Sequence, residues 1–237
     1  MLIQSAMNGS RTRAENPAVP ISPAELAASA KAAVAAGAHE LHFHVRAADG
    51  RESVAAPDGA AAVTAVRAAA AGIRFGVSTG WWIVRDTAAR HAAISEWKVF
   101  PDYASVNFNE EGAVDLAKLL LSVGVGIEAG FSGLAGTQEF LASGLAPRCL
   151  RLLLEPFEPD VASALQNVAA IEATLDRGGV KLPRLLHGFN QTAWPVLDFA
   201  VSHGYDTRVG FEDVLTLRDG SPAPSNAALV AEVLGNL

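Results

Sequence analysis

The chain has 237 residues, 18 Lys plus Arg against 25 Asp plus Glu, and half of its residues are hydrophobic. That composition can bury a large core and excludes intrinsic disorder, while a formal charge of −7 speaks against a nucleic-acid surface, which needs clustered cations for phosphate contacts. Cys149 is the one cysteine, so an internal disulfide and a Cys-rich zinc site are excluded and a reducing cytoplasm fits best. The start, Met1-Leu2-Ile3-Gln4-Ser5, lacks the basic segment and long apolar run of a signal peptide, and no apolar stretch approaches a membrane span. The expectation is a soluble cytoplasmic protein with no membrane and no nucleic-acid partner.

Short β-rich runs alternate with Ala-rich helical ones, without a Pro/Ser linker between them. The strands are expected at Leu2–Ala6, Glu40–Arg46, Arg74–Thr79, Tyr103–Phe108, Gly124–Ala129, Leu150–Glu155, Arg184–Phe189 and Thr207–Phe211. The helices are expected at 22–37, 59–71, 87–97, 112–123, 134–143, 160–177, 191–203 and 225–236. Ser22-Pro23-Ala24-Glu25 places an N-cap, a first-turn Pro and an N3 carboxylate together, and Gly37 stands where the helix should stop. Repeated β/α units in one direction point to an α/β fold, a (β/α)8 TIM barrel forming a single domain over 1–237, with a doubly wound open sheet as the alternative. Asn8-Gly9-Ser10-Arg11 follows the first strand where a dinucleotide fold would carry its glycine-rich turn, which favours the barrel. Function is then expected at the carboxyl ends of the strands.

Along the second strand, alternation puts His42, His44 and Arg46 on one face and Leu41, Phe43 and Val45 on the other. Paired imidazoles at that spacing can hold a cation such as Zn2+, or can be core histidines bonded to carbonyls. On the last strand Arg208, Gly210 and Glu212 share a parity. In a barrel this strand flanks the first, as does the second, so Glu212 can complete a His2Glu set with an open position; pairing with Arg208 for structure is the other reading. Asp213 stands where a carboxylate could take a proton, and Arg208 could hold an oxyanion. Ser78, Ser105, Asn107 and Glu128 fall at or near strand ends, and so do Glu155 and His187, which could as readily bond backbone. Trp81-Trp82-Ile83-Val84 suits a subunit contact or a packed rim.

These residues resemble the β-keto acid cleavage enzyme family. The likeness rests on Asn8-Gly9, Ala36-Gly37-Ala38, Leu41-His42-Phe43-His44-Val45-Arg46, Asp49-Gly50-Arg51, Ser78-Thr79-Gly80 and Arg208-Val209-Gly210-Phe211-Glu212-Asp213-Val214, extended by Asp219-Gly220, Ser225-Asn226 and Leu229-Val230. The resemblance implies a zinc barrel that passes an acyl group from a β-keto acid to the CoA of acetyl-CoA with release of acetoacetate, and a homo-oligomer, commonly a tetramer. By motif position it implies His42, His44 and Glu212 as zinc ligands, Asp213 as base with Arg208 beside it, Ser78 as a catalytic serine, and Glu128 as a substrate-pocket carboxylate. Ser10 stands where the aminated-substrate enzyme has a glutamate, and Ser105 or Asn107 stands for a threonine; these three complete the expected substrate contacts. Arg11, Arg13, Arg51 and Arg85 could hold coenzyme phosphates or be solvated surface groups. A metal-dependent hydrolase and a non-catalytic barrel that binds a metal or carboxylate are the competing readings.

Overall fold

The computed structural model describes residues 1–235. Eight parallel strands are ordered as a closed barrel, β1-β2-β3-β4-β5-β6-β7-β8. They run over Ile3–Ala6, Glu40–Phe43, Phe75–Ser78, Tyr103–Asn107, Gly126–Phe131, Arg151–Leu154, Arg184–Leu186 and Asp206–Val209. Helices α1 to α8 alternate with them at Pro23–Ala35, Ala56–Ala69, Thr87–Ser95, Ala113–Ser122, Leu134–Ser143, Val161–Arg177, Ala193–Ser202 and Asn226–Leu234. Residue 236 of the last expected helix lies outside the described residues. None of the helices is long and apolar enough to cross a membrane, among the described residues.

Local chemistry explains the helix starts. Ser22 and Glu25 form the reciprocal capping box of α1, with Pro23 in its first turn. Asp160 caps α6 through Ser163 N–H, and Ser225 caps α8 through Ala228 N–H. Gly37 takes φ +108° just past α1, a conformation that side-chain-bearing residues resist.

The chain divides into two compact units. The first holds Leu2–Ser78, Ala92–Asp102 and the chain from Arg208 on. Its register pairs Ala6 with His42 and His42 with Gly76. Its core includes Ile3, Leu26, Leu41, Phe43, Val66, Phe75 and Leu229, with the Phe43 and Phe75 rings 5.7 Å apart. The second holds Thr79–His91 and Tyr103–Thr207, and pairs Ser105 with Glu128 and Glu128 with Arg151. Phe108, Phe131 and Phe140 form its aromatic core.

Several strands are shorter or shifted relative to the sequence reading, at their amino as well as their carboxyl ends. β2 stops at Phe43, because His44 is held by a side chain rather than by a neighbouring strand. β5 begins and ends two residues later than expected: Gly124 turns at φ +83° and Val125 N–H still bonds Leu120 O at the end of α4. β8 ends at Val209, and Gly210 starts a turn in which Asp213 and Val214 N–H both bond its carbonyl. Parity along a strand therefore does not place Glu212; the turn does. The expected second helix starts earlier, at Ala56, with Pro57 in its first turn.

Candidate metal and active site

The first unit carries the site, built around the end of β1. Asn8 is fully buried; its amide accepts from His44 N–H at 2.8 Å and donates to His44 O at 2.9 Å and Pro20 O at 3.1 Å. One side chain thus replaces the strand ladder and aligns His44 beyond β2. Gly9 follows at φ +50°, and a methyl group there would lie 2.4 Å from Glu212 Cγ. At Gly210 a methyl would lie 1.9 Å from Ala6 O. Both positions admit only glycine, and the close approach they allow lets Glu212 N–H bond Ala6 O at 3.2 Å.

This backbone brings the three expected ligands together. One ligand atom from each of His42, His44 and Glu212 lies within 4.8 Å of the others. His42 Nε2 is 3.7 Å from Glu212 Oε2, and His44 Nε2 is 3.6 Å from Glu212 Oε1. Those separations are too long for hydrogen bonds. They are close to the edge of about 3.3 Å that a tetrahedral cation with bonds of about 2.0–2.1 Å imposes on its ligands. Glu212 Oε2 is buried without a hydrogen-bond partner among the described residues, which suits a cation rather than a structural pair. The donor set fits a divalent metal.

Glu52 is the member of this cluster that sequence reasoning missed. Its Oε1 lies 2.5 Å from His44 Nδ1, while its Oε2 accepts from Ser10 Oγ at 2.9 Å. With Nδ1 directed at a carboxylate, Nε2 is the nitrogen left to face a cation. The signal was the Asp49-Gly50-Arg51 turn: Gly50 at φ +84° and Ala47 N–H bonded to Arg51 O fold the chain back, and Glu52 bridges to Arg46. Arg46 was expected on the His42 and His44 face. Its guanidinium instead bonds the carbonyls of Gly9, Arg11 and Gly50, holding the loops rather than the interior.

Arg208 is 2% exposed and donates to Glu212 Oε1 at 2.7 Å, with Asp213 Oδ1 3.2 Å away. The structural pairing considered for Arg208 and Glu212 is therefore present beside the ligand geometry. Burial opposes charge on Glu212, but Arg208, His44 and His42 outweigh it and hold the carboxyl well below its usual range. Burial likewise opposes charge on His44, yet Glu212 and Glu52 raise it to about 9. Ser78 is buried at the end of β3. Ser10 is exposed, and its hydroxyl is engaged by Glu52.

The second unit holds the other expected residues. Ser105 is buried, and its carbonyl accepts from Thr79 Oγ1 at 2.7 Å. Glu128 is fully buried and accepts from Arg151 Nε at 2.6 Å, while the Arg151 guanidinium stacks over Tyr103. Asn107 donates to Glu110 Oε1 at 3.1 Å. Among the four loop arginines, Arg11 pairs with Glu15, Arg13 with Glu25 and Arg51 with Asp49, which supports the surface reading for those three. Trp82 covers Gly80 and remains part-exposed.

A family model described as beta-keto acid cleavage enzyme matches residues 1–123 and 133–236. The binary complex of ObcA with oxaloacetate superposes with a TM-score of 0.73 at 17% identity, over 93% of this chain and 64% of that one. The ternary complex of ObcA with a C4-CoA adduct and oxalate gives the same values. The chain therefore spans less than two thirds of ObcA. The homocysteine methyltransferase MmuM from Escherichia coli in its apo form has a TM-score of 0.59 at 16% identity, covering 100% of this chain and 95% of that one. At these identities the structural likeness establishes the barrel fold alone.

Proposed function

The chain belongs to the beta-keto acid cleavage enzyme family, and from that premise we propose how this chain carries out the cleavage. His42, His44 and Glu212 would hold a divalent cation, with Zn2+ the best match to a His2Glu donor set. When bound, that ion would supply Lewis acidity to the keto and carboxylate oxygens of a β-keto acid. The observation that carries this reading is the convergence of the three ligand atoms within 4.8 Å, with Glu212 Oε2 lacking a hydrogen-bond partner among the described residues.

The chain's own groups do the rest. Asp213, 1% exposed, holds and transfers the proton, and Arg208 keeps positive charge beside it where an enolate oxygen gains negative charge. Glu52 fixes the His44 tautomer. Ser78 is proposed as the catalytic hydroxyl and Ser10 as a substrate contact; Ser105, Asn107 and Glu128 carry substrate-contact roles by motif position. In the overall exchange, the acyl group of the β-keto acid moves to the CoA sulfur of acetyl-CoA, and the acetyl group joins the remaining carboxymethyl unit as acetoacetate. The complexes of ObcA with oxaloacetate and with a C4-CoA adduct support a keto acid and a CoA-linked reactant as partners. A cytoplasmic homo-oligomer, a tetramer by resemblance, completes the reading.

Zinc-loaded protein incubated with acetyl-CoA and a panel of β-keto acids tests it. Acetoacetate that forms only when both reactants are present, and that disappears in His44→Ala while the fold survives by circular dichroism, is the expected result. Acetoacetate at the parental rate from that variant would overturn the metal assignment.

A further inference from the structure

In the second unit two acceptor oxygens, from the carboxyl end of β4 and from the residue after β6, converge over Gly130 of β5. Glu155 directly follows β6 and is 6% exposed. Its Oε1 is buried with no hydrogen-bond partner among the described residues. A methyl group at Gly130 would lie 2.7 Å from that oxygen and 2.5 Å from Asn107 Oδ1, so both oxygens overhang the same bare Cα of β5.

The orientation of Asn107 is built in rather than accidental. Its Nδ2 donates to Glu110 Oε1 at 3.1 Å, which leaves Oδ1 as the atom turned toward Gly130. Glu110 is held in turn by Arg90, a fully buried guanidinium that donates to Glu110 Oε2 at 2.7 Å and to the carbonyls of Thr79 and Glu111 at 3.2 and 2.7 Å. Trp81 N–H also bonds Glu110 Oε2, at 2.8 Å. A buried ion pair thus locks an acceptor, not a donor, beside a buried carboxylate.

No Lys or Arg lies within salt-bridge distance of Glu155 among the described residues; its ionic neighbour is His187, whose Nε2 is 3.7 Å from Oε2. A buried carboxylate oxygen beside an amide oxygen is costly unless a donor, preferably a cationic one, sits between them. The outer neighbour of this cluster is apolar: Phe189 meets the His187 ring edge-on at 4.7 Å, and the exposed Phe157 stacks on Phe189 at 4.7 Å.

We propose that Glu155 Oε1 and Asn107 Oδ1, overhanging Gly130, form a recognition site for the primary ammonium group of a small organic ligand, with Phe157 and Phe189 against its alkyl stem. Asn107 is also a substrate contact in the proposed function, so the inference rests on that reading at this residue, while occupancy of the site can be read without turnover.

Titration of the protein with propylammonium, followed by NMR of side-chain-labelled Asn and Phe, tests this. Saturable shifts at Asn107 and at Phe157 or Phe189 are expected. Glu155→Gln, which keeps shape and removes charge, should weaken binding about tenfold or more, and 1-propanol should bind weaker by a similar factor. Phe157→Ala, at an exposed position that folding does not need, should weaken it severalfold. Equal binding of 1-propanol, unchanged affinity in Glu155→Gln, displacement by equimolar K+, or no saturable shift would each overturn the proposal. Such a failure would leave the metal assignment untouched, since the His44→Ala arm of the acetoacetate assay reads a residue outside this site.

Discussion

Replacing Glu52 by Gln keeps the side chain's volume and its acceptor oxygen but removes the charge that faces His44 Nδ1 at 2.5 Å. Carboxylates that orient a metal-binding imidazole in this way are worth about 10–100-fold in metal affinity. That range is about 1.4–2.7 kcal/mol. The lower half is expected here, because Gln can still accept from Nδ1–H and because Glu212 remains as the other anion beside His44. Ser10 Oγ, which now donates to Glu52 Oε2 at 2.9 Å, keeps a partner in either amide orientation and should not add to the loss. Competition of the protein against a chromophoric chelator for Zn2+, with thermal melts of the metal-free forms alongside, measures both quantities. An affinity in Glu52→Gln within twofold of the parent, with Glu212→Gln abolishing binding, would refute the idea that Glu52 sets the imidazole.

Gly9→Ala combines a left-handed backbone with a methyl 2.4 Å from Glu212 Cγ, so zinc occupancy should collapse and stability fall by about 1–3 kcal/mol, read by metal analysis and denaturant unfolding. Parental occupancy in that variant would show that the approach of Gly9 to Glu212 is not needed. In the metal-free protein His44 is raised to about 9 and is protonated at neutral pH, so zinc must displace that proton. Calorimetry in buffers of differing ionisation enthalpy should show about one proton released at neutral pH, and affinity should rise with pH until that value is passed. Zero release would contradict the charge state. Asn8→Ala removes three buried hydrogen bonds, two of them to the His44 backbone, and should cost about 3 kcal/mol in urea unfolding. Glu25, held down to about 2 chiefly by Ser22 N–H and then by Arg13, should stabilise the protein above the usual carboxylate range. The difference between parent and Glu25→Ala should vanish as pH falls toward 2, and a constant difference would mean the cap acts without its charge.

Much of this molecule was legible before any coordinates. Alternation of β-rich and Ala-rich runs is local information, and so are the Ser22 capping box and the glycine after α1; the strand count, the barrel order and the start of α1 followed from them. The motif pair HxHxR and RxGxED likewise singled out His42, His44, Arg208, Glu212 and Asp213, whose side chains the fold brings into one cluster. Tertiary structure decided the rest. Strand parity placed Arg46 beside the histidines, yet its guanidinium bonds loop carbonyls, because β2 ends before it and a reverse turn carries the chain away. Glu52 reaches His44 only through that same turn, and Glu212 reaches both imidazoles only because Gly9 and Gly210 let two backbones approach more closely than a side chain permits. The orientation of Asn107 depends on Arg90 and Glu110, from different segments. Periodicity reports which face of an element a residue occupies, whereas the direction of a polar group past an element's end is set by partners distant in the chain, and those only folding brings into reach.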